Sequence, residues 1–460
     1  MIPRVLAVAD SDSYLKWGAA TLATLTETCT LDLVLLRSPI LPSADQRAAA
    51  VAGTPFEVVD VPVLTPRELC AHLRASDPDV VLLSATGPVA EFVVRVVEQV
   101  GGRRRPALVG GLPGMSYPAT LRALRFRAGQ DAFIVHSLRE RREFAAVAAQ
   151  LGLELPVVLA PLPFLATAVP GTPATPITPT TPGRTATPDA TARAEASGES
   201  SPPPPHSPRL ALSRVVFAPQ AKMPVTRAQR EQVLHALARL AVDRPDVDVV
   251  VKVRGLAGEA QTHHETFPFD TLLADLVASG AVPSGAVRVA TGPLADQLGP
   301  GAALVTVSST AALESLAAGV PTLVLEDFGV NERMLNAVFL GSGLLGTLED
   351  LAAGRFGEPD PGWLADNYVH GTPSELPAAV LRLAAARRAG LLASSRTRRP
   401  HGVVLGRARR RLLRTLVRSQ APRPVVALLG LPGRARRSVA TAVSTAASTA
   451  QRCRRRHGGR

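Results

Sequence analysis

Residues 4–16 read RVLAVADSDSYLK. Arg4–Ala9 is a nearly unbroken apolar run, the pattern of a strand covered on both faces. It stops at Asp10-Ser11-Asp12-Ser13, residue types that favour turns and helix starts. Leu15, Ala19, Leu22 and Leu25 then recur at helical spacing and predict a helix over 13–25. A buried strand, a polar turn and a helix in this order open a parallel α/β unit.

The alternation continues outward. Strands are predicted over 31–36, 56–63, 79–84, 106–109 and 132–135, with helices over 66–75, 90–100, 119–126 and 138–151. Residues 166–209 break the pattern with Pro, Thr, Ala and Ser and almost no large apolar side chain. Such a stretch cannot bury enough surface to offset its ordering entropy, so a disordered linker is expected. The pattern then restarts. Strands are predicted over 214–218, 247–253, 287–290, 303–307 and 322–325. Helices are predicted over 226–241, with Thr226 as N-cap, and over 269–278, 311–318 and 377–388. The expected class is α/β, with two Rossmann-like domains at 1–165 and 210–390 and a site in the cleft beyond the carboxyl ends of their strands.

Composition narrows the function. The 460 residues carry 51 basic and 38 acidic side chains, a net charge of +13. Residues 376–460 hold 21 arginines and no acid, so the first 375 carry 30 basic against 38 acidic residues, a net of −8. The basicity belongs to an Arg-rich tail at 391–460. There Val404, Ala408, Leu412 and Leu416 recur beside Arg407, Arg411, Arg414 and Arg418, as in a basic amphipathic helix suited to an anionic membrane surface. An acidic body, and aromatics at only 4% of the whole chain, weigh against nucleic acid. Cys29, Cys70 and Cys453 lack the spacing of a disulfide framework or zinc site. With no signal-peptide pattern and no long apolar span, the expected location is cytoplasmic, peripheral at the inner membrane face.

Candidate chemistry lies at the predicted strand ends. Asp10 and Asp12 are candidate general bases, one expected to cap the helix and the other to act. Gly110, Gly111 and Gly114 form a loop that lets a ligand approach backbone, and His136 could relay a proton. Gln220 and Lys222 follow one strand, and Lys252 and Arg254 end the next. Only three lysines exist, and two of them sit here, where they suit an anionic donor. Ser308, Ser309 and Thr310 precede a helix and could receive phosphate, with Glu314 a turn later for a sugar hydroxyl. His263 and His264 are adjacent and lack HExxH spacing, so a phosphate or base contact is expected and no metal.

The blocks at 4–16, 308–321 (SSTAALESLAAGVP), 327–331 (DFGVN) and 341–344 (GSGL) resemble an uncharacterised family of high-GC bacterial proteins described as glycosyltransferases. More distantly, the second half is similar to capsule Kdo transferases, polysialyltransferases and CDP-glycerol-type polymerases. The resemblance implies a GT-B fold and metal-independent transfer from a nucleotide-sugar donor, with no cofactor. By it, the first half would bind a glycan or lipid-linked acceptor of the cell envelope. Ser308 and Ser309 would hold donor phosphate, and His263 or His264 the nucleotide, although those families show His-Pro where this chain has His-His. A nucleotide-sugar 2-epimerase and a non-catalytic sugar- or nucleotide-binding protein are the alternatives.

Overall fold

The computed structural model describes residues 2–168, 211–256 and 265–392. The first half runs β1 (Arg4–Ala9), α1 (Asp12–Ala23), β2 (Thr30–Leu36), α2 (Ala44–Val51), β3 (Val63–Leu64), α3 (Pro66–Ser76), β4 (Val80–Ser84), α4 (Gly87–Gly101), β5 (Ala107–Gly110), α5 (Leu121–Arg125), β6 (Ala132–Val135), α6 (Leu138–Gln150) and β7 (Val157–Leu159). The second runs β8 (Arg214–Phe217), α7 (Arg227–Asp243), β9 (Asp248–Lys252), α8 (Phe269–Ala278), β10 (Arg288–Ala290), β11 (Ala302–Thr306), α9 (Ala311–Ala317), β12 (Thr322–Leu325), β13 (Leu345–Gly346), α10 (Leu348–Ala352), α11 (Pro361–Asp366) and α12 (Leu376–Arg388).

The strands form two sheets, ordered β3-β2-β1-β4-β5-β6-β7 and β10-β9-β8-β11-β12-β13. Every hydrogen-bonded pair of neighbours is parallel. Each order reverses once, between β1 and β4 and between β8 and β11. At such a reversal the chain leaves adjacent strands in opposite directions, which opens a crevice at their carboxyl ends. This is the GT-B arrangement of two Rossmann-like sheets.

Side-chain alternation decides what each face covers. In β1, Val5, Ala7 and Ala9 enter one apolar cluster, and Leu6 and Val8 enter another. In β8, Val215 and Phe217 face a cluster of the second half alone. Val216 joins Ala7 and Trp17 in a cluster built from both halves. The short turn at Pro163–Ala168 helps to close this shared layer, with Leu165 buried in it and Phe164 packed against it.

After α11 the chain returns to the first sheet. α12 packs near β4, β5 and β7. Arg388 forms an ion pair with Asp79 at 2.6 Å, and Arg387 pairs with Asp77. Glu375 accepts from the Leu159 N–H at 3.1 Å and from Arg141 at 2.5 Å.

Two local expectations change. The strand expected over 56–63 shrinks to Val63–Leu64. Residues before it are tied by turn bonds, Glu57 N–H to Thr54 and Val59 N–H to Phe56. Phe56 and Val61 anchor that loop in the core while Val58 is 93% exposed, so the apolar run satisfied a loop and not a ladder. The strands β7 and β13 also went unpredicted. They are three and two residues long, too short to show a period. Most of the expected linker (169–209) and of the Arg-rich tail (393–460) lies outside the described residues. Among the described residues no helix is long and apolar enough to cross a membrane.

Candidate active site

The first crevice opens where β1 and β4 end. Asp10 is fully buried there. Its two carboxylate oxygens accept from the Thr86 N–H at 3.1 Å each, and Oδ2 also accepts from the Thr86 hydroxyl. Burial holds its pKa above the ordinary aspartate value, against the lowering effect of the Thr86 bonds. Asp10 therefore clamps two strand ends together. Neither aspartate is the helix cap expected from sequence: Ser11 occupies that position and makes no side-chain capping bond. Asp12 is the first residue of α1 and partly exposed.

His136 lies deeper than a relay would require. It is 1% exposed. Trp17 Nε1, which can only donate, reaches its Nε2 at 3.0 Å, and its Nδ1 lies 2.7 Å from the Ala160 carbonyl oxygen. Both ring nitrogens are thus engaged by the protein, and the ring supports packing around Trp17. Beside it, buried Glu140 accepts from the Ser116 N–H at 2.7 Å, the His136 N–H at 2.8 Å and the Tyr368 hydroxyl at 2.5 Å. This carboxylate ties the loop after β5 to α6 and to the returning segment before α12. Within that loop, a Cβ on Gly110 would come 2.8 Å from the Leu83 oxygen, and one on Gly111 2.9 Å from the Ile134 oxygen. These two glycines serve close packing. Gly114 instead faces the second half, where a Cβ would come 3.2 Å from Thr310 Cγ2.

His370, in the same returning segment, accepts from the Thr372 N–H through Nδ1 and donates through Nε2 to the His136 carbonyl, both at 3.2 Å. Burial pushes its pKa below the usual imidazole value. The folded state therefore favours the neutral ring more than the unfolded chain does. As pH falls through about 6.5, the unfolded chain takes up a proton first and stability drops. We expect the melting temperature to fall between pH 7.5 and 5.5, and to fall less in His370→Asn. Equal slopes in the two proteins would show that His370 carries none of the pH dependence.

The second crevice opens between β8 and β11. Ser308 donates to Gln220 Oε1 at 2.7 Å and so joins the loops after these two strands. Ser309 Oγ accepts from the Ala311 N–H at 3.2 Å. Two of the three hydroxyls are thus used within the loop. Thr310 holds the N-cap position of the seven-residue α9 without a side-chain capping bond. Lys222 and Arg254 are exposed, and Lys252, at the end of β9, is half-buried. Burial, then the field of Arg254, hold the Lys252 ammonium below the ordinary lysine value. His263 and His264 lie outside the described residues.

The two crevices meet through a lysine that sequence reading counted but did not place. Lys16 of α1 reaches 3.8 Å from Glu314 of α9, and its ammonium lies 5.0 Å from the centre of the Phe164 ring. Lys252 also feels the charges of Lys16, Arg254, Glu314 and Asp296. Cations from the two halves therefore gather near Glu314: Lys16 pairs with it, Lys252 feels its charge, and Arg254 acts in turn on Lys252. Asp12 precedes Lys16 by one helical turn and shares its face of α1, which points at this gathering. The scarcity of lysine was the available signal. What hid Lys16 was its place inside a helix, away from any strand end. Among the described residues no three His, Cys, Asp or Glu side chains are grouped as a metal site.

A family profile described as "Putative glycosyltransferase (DUF6716)" matches residues 5–384. No curated protein matches the chain in sequence. Among solved structures the chain is similar to S. aureus MnaA in complex with UDP, at 10% identity and a TM-score of 0.48, over 85% of this chain and 98% of that one. It is similar to the lipopolysaccharide outer core galactosyltransferase WaaB, at 10% identity and 0.42, over 84% and 99%. A Siraitia grosvenorii ugt transferase in complex with UDP aligns at 14% identity and 0.41, over 86% and 98%.

Proposed function

The chain belongs to the glycosyltransferase family matched over residues 5–384, and we propose that it moves a sugar from a nucleotide-activated donor to a glycan or lipid-linked acceptor hydroxyl. The observation that carries this reading is the approach of Lys16 from the first half and Lys252 from the second to Glu314, with Arg254 beside Lys252. An anionic donor placed there would meet cations from each half. In the second half the loops at Gln220 and Ser308 are already tied together to receive it.

The proposed step is a displacement at the anomeric carbon. Asp12 takes the proton from the acceptor hydroxyl, and that oxygen forms the new glycosidic bond. The bond from the anomeric carbon to the donor phosphate breaks, and its electron pair leaves with the phosphate. Lys252, Arg254 and Lys16 oppose the negative charge that develops there. Lys252 is well suited because it is half-buried, where a charge is less screened than at the surface.

The test is binding. CMP-, UDP- and GDP-sugars are screened for thermal stabilisation, and the best is titrated by calorimetry. One of them is expected to raise the melting temperature, because a ligand bound to the native state stabilises it. Lys252→Ala and Lys16→Met should each weaken its binding by about tenfold or more, as expected for a lost charge-assisted bond. Unchanged affinity in both variants would remove the donor site from this cleft. Release of epimerised sugar nucleotide without any acceptor would replace transfer with 2-epimerisation.

A further inference from the structure

Arg230 of α7 is 2% exposed, one of the largest fully buried side chains among the described residues. Its guanidinium does not serve its own helix. Nε donates to the Pro224 carbonyl at 2.9 Å, and Nη2 donates to the Ala221 carbonyl at 2.8 Å. Nη1 donates to the Phe267 carbonyl at 2.8 Å and pairs with the Glu265 carboxylate. The guanidinium carbon also lies 4.9 Å from the centre of the Phe269 ring. One planar fork thus joins two separate stretches of chain. One is the loop after β8; the other leads from β9 into α8.

The carbonyls of Ala221 and Pro224 flank Lys222. That lysine lies in a tight turn closed by the Met223 N–H on the Gln220 carbonyl at 3.1 Å. Gln220 in turn accepts from Ser308. We propose that Arg230 is a positioning residue of the donor site, holding the Gln220–Lys222 turn at the height where the Lys222 ammonium meets donor phosphate. This inference rests on the donor-site reading given above. Its physical basis is the shape of arginine. A guanidinium offers five N–H groups in a fixed plane, and a lysine ammonium offers three from a single point. Lysine at position 230 keeps the charge beside Glu265 but cannot span both stretches.

The experiment combines a double-mutant cycle with amide exchange, using UDP, GDP and CMP as probes. In calorimetry, Arg230→Lys and Lys222→Ala should each weaken binding of the preferred nucleotide by about tenfold. The double variant should bind no more weakly than Lys222→Ala alone, because Arg230 acts through Lys222. Amides of 221–223 and 225 should exchange faster in Arg230→Lys while β8 and α7 stay protected. Glu265→Gln removes the counter-charge and leaves the fork in place. It should show the same exchange pattern with a smaller loss of affinity, and it serves where Arg230→Lys does not fold. Additive losses, or unchanged exchange in both position-230 and position-265 variants, would overturn the assignment while leaving the donor site standing. A wild-type chain that binds none of the three nucleotides would overturn both.

Discussion

Asp12→Asn is expected to lower kcat by 10²- to 10⁴-fold, the usual contribution of a positioned general base, with donor binding nearly unchanged. The substitution keeps the shape of the side chain and replaces a carboxylate that can take a proton with an amide that cannot. Asp12 is preferred over Asp10 on geometry. It begins α1, is partly exposed, and lies one turn before Lys16, which reaches Glu314 in the other half. Asp10 is fully buried and spends both oxygens on Thr86. Its raised pKa comes first from burial, as expected of an enclosed carboxyl group. Asp10→Asn should therefore loosen the β1–β4 crevice and lower the melting temperature more than it lowers turnover. Steady-state rates and melting curves on both variants separate the roles. An active Asp12→Asn beside a folded but inactive Asp10→Asn would move the base to Asp10.

Glu140→Ala is expected to cost about 3 kcal/mol of stability, the second large effect. The substitution strands the His136 N–H and the Tyr368 hydroxyl proton in a buried site, and leaves the Ser116 N–H only its second acceptor, the Tyr368 oxygen at 3.1 Å. Each orphaned donor costs about 1–3 kcal/mol, and partial relaxation keeps the total below the sum. Tyr368→Phe should cost less, because it removes a donor and leaves the carboxylate two other partners. The double variant Glu140→Ala/Tyr368→Phe should be less destabilised than the sum of the two, since one orphaned donor disappears with its partner. Chemical denaturation at constant pH measures all four proteins. Additive losses would mean that the Glu140–Tyr368 bond does not tie the returning segment to the first half. Glu140 was not legible in the sequence. It looks like one more acid in an Arg-rich helix, and two of its partners lie 24 and 228 residues away.

Much of the fold was readable because a parallel sheet buries its strands on both faces. Continuous apolar runs such as 4–9 and 322–325 follow from that burial, and both strands appear with those bounds. Thr226 caps α7 as its residue type suggests, with Gln229 completing a capping box. Local chemistry of this kind needs no distant partner. The run at 56–63 misled for the same reason. Its apolar side chains met the demand for burial without a neighbouring strand to pair with for most of its length.

The sequence by itself determined the α/β class, the two halves, and the polar residues at the carboxyl ends of their strands. Each of these depends on periodicity and residue type within a few positions of the chain. Only the tertiary structure decided which of those residues share a site. It enclosed Asp10 and His136, turned Gly110 and Gly111 into packing positions, and set Gly114 against Thr310. It also brought Lys16 to Glu314 and carried α12 back onto the first sheet. These outcomes depend on contacts between residues tens to hundreds of positions apart, and the longest of them are set by the packing of two sheets through one shared apolar layer.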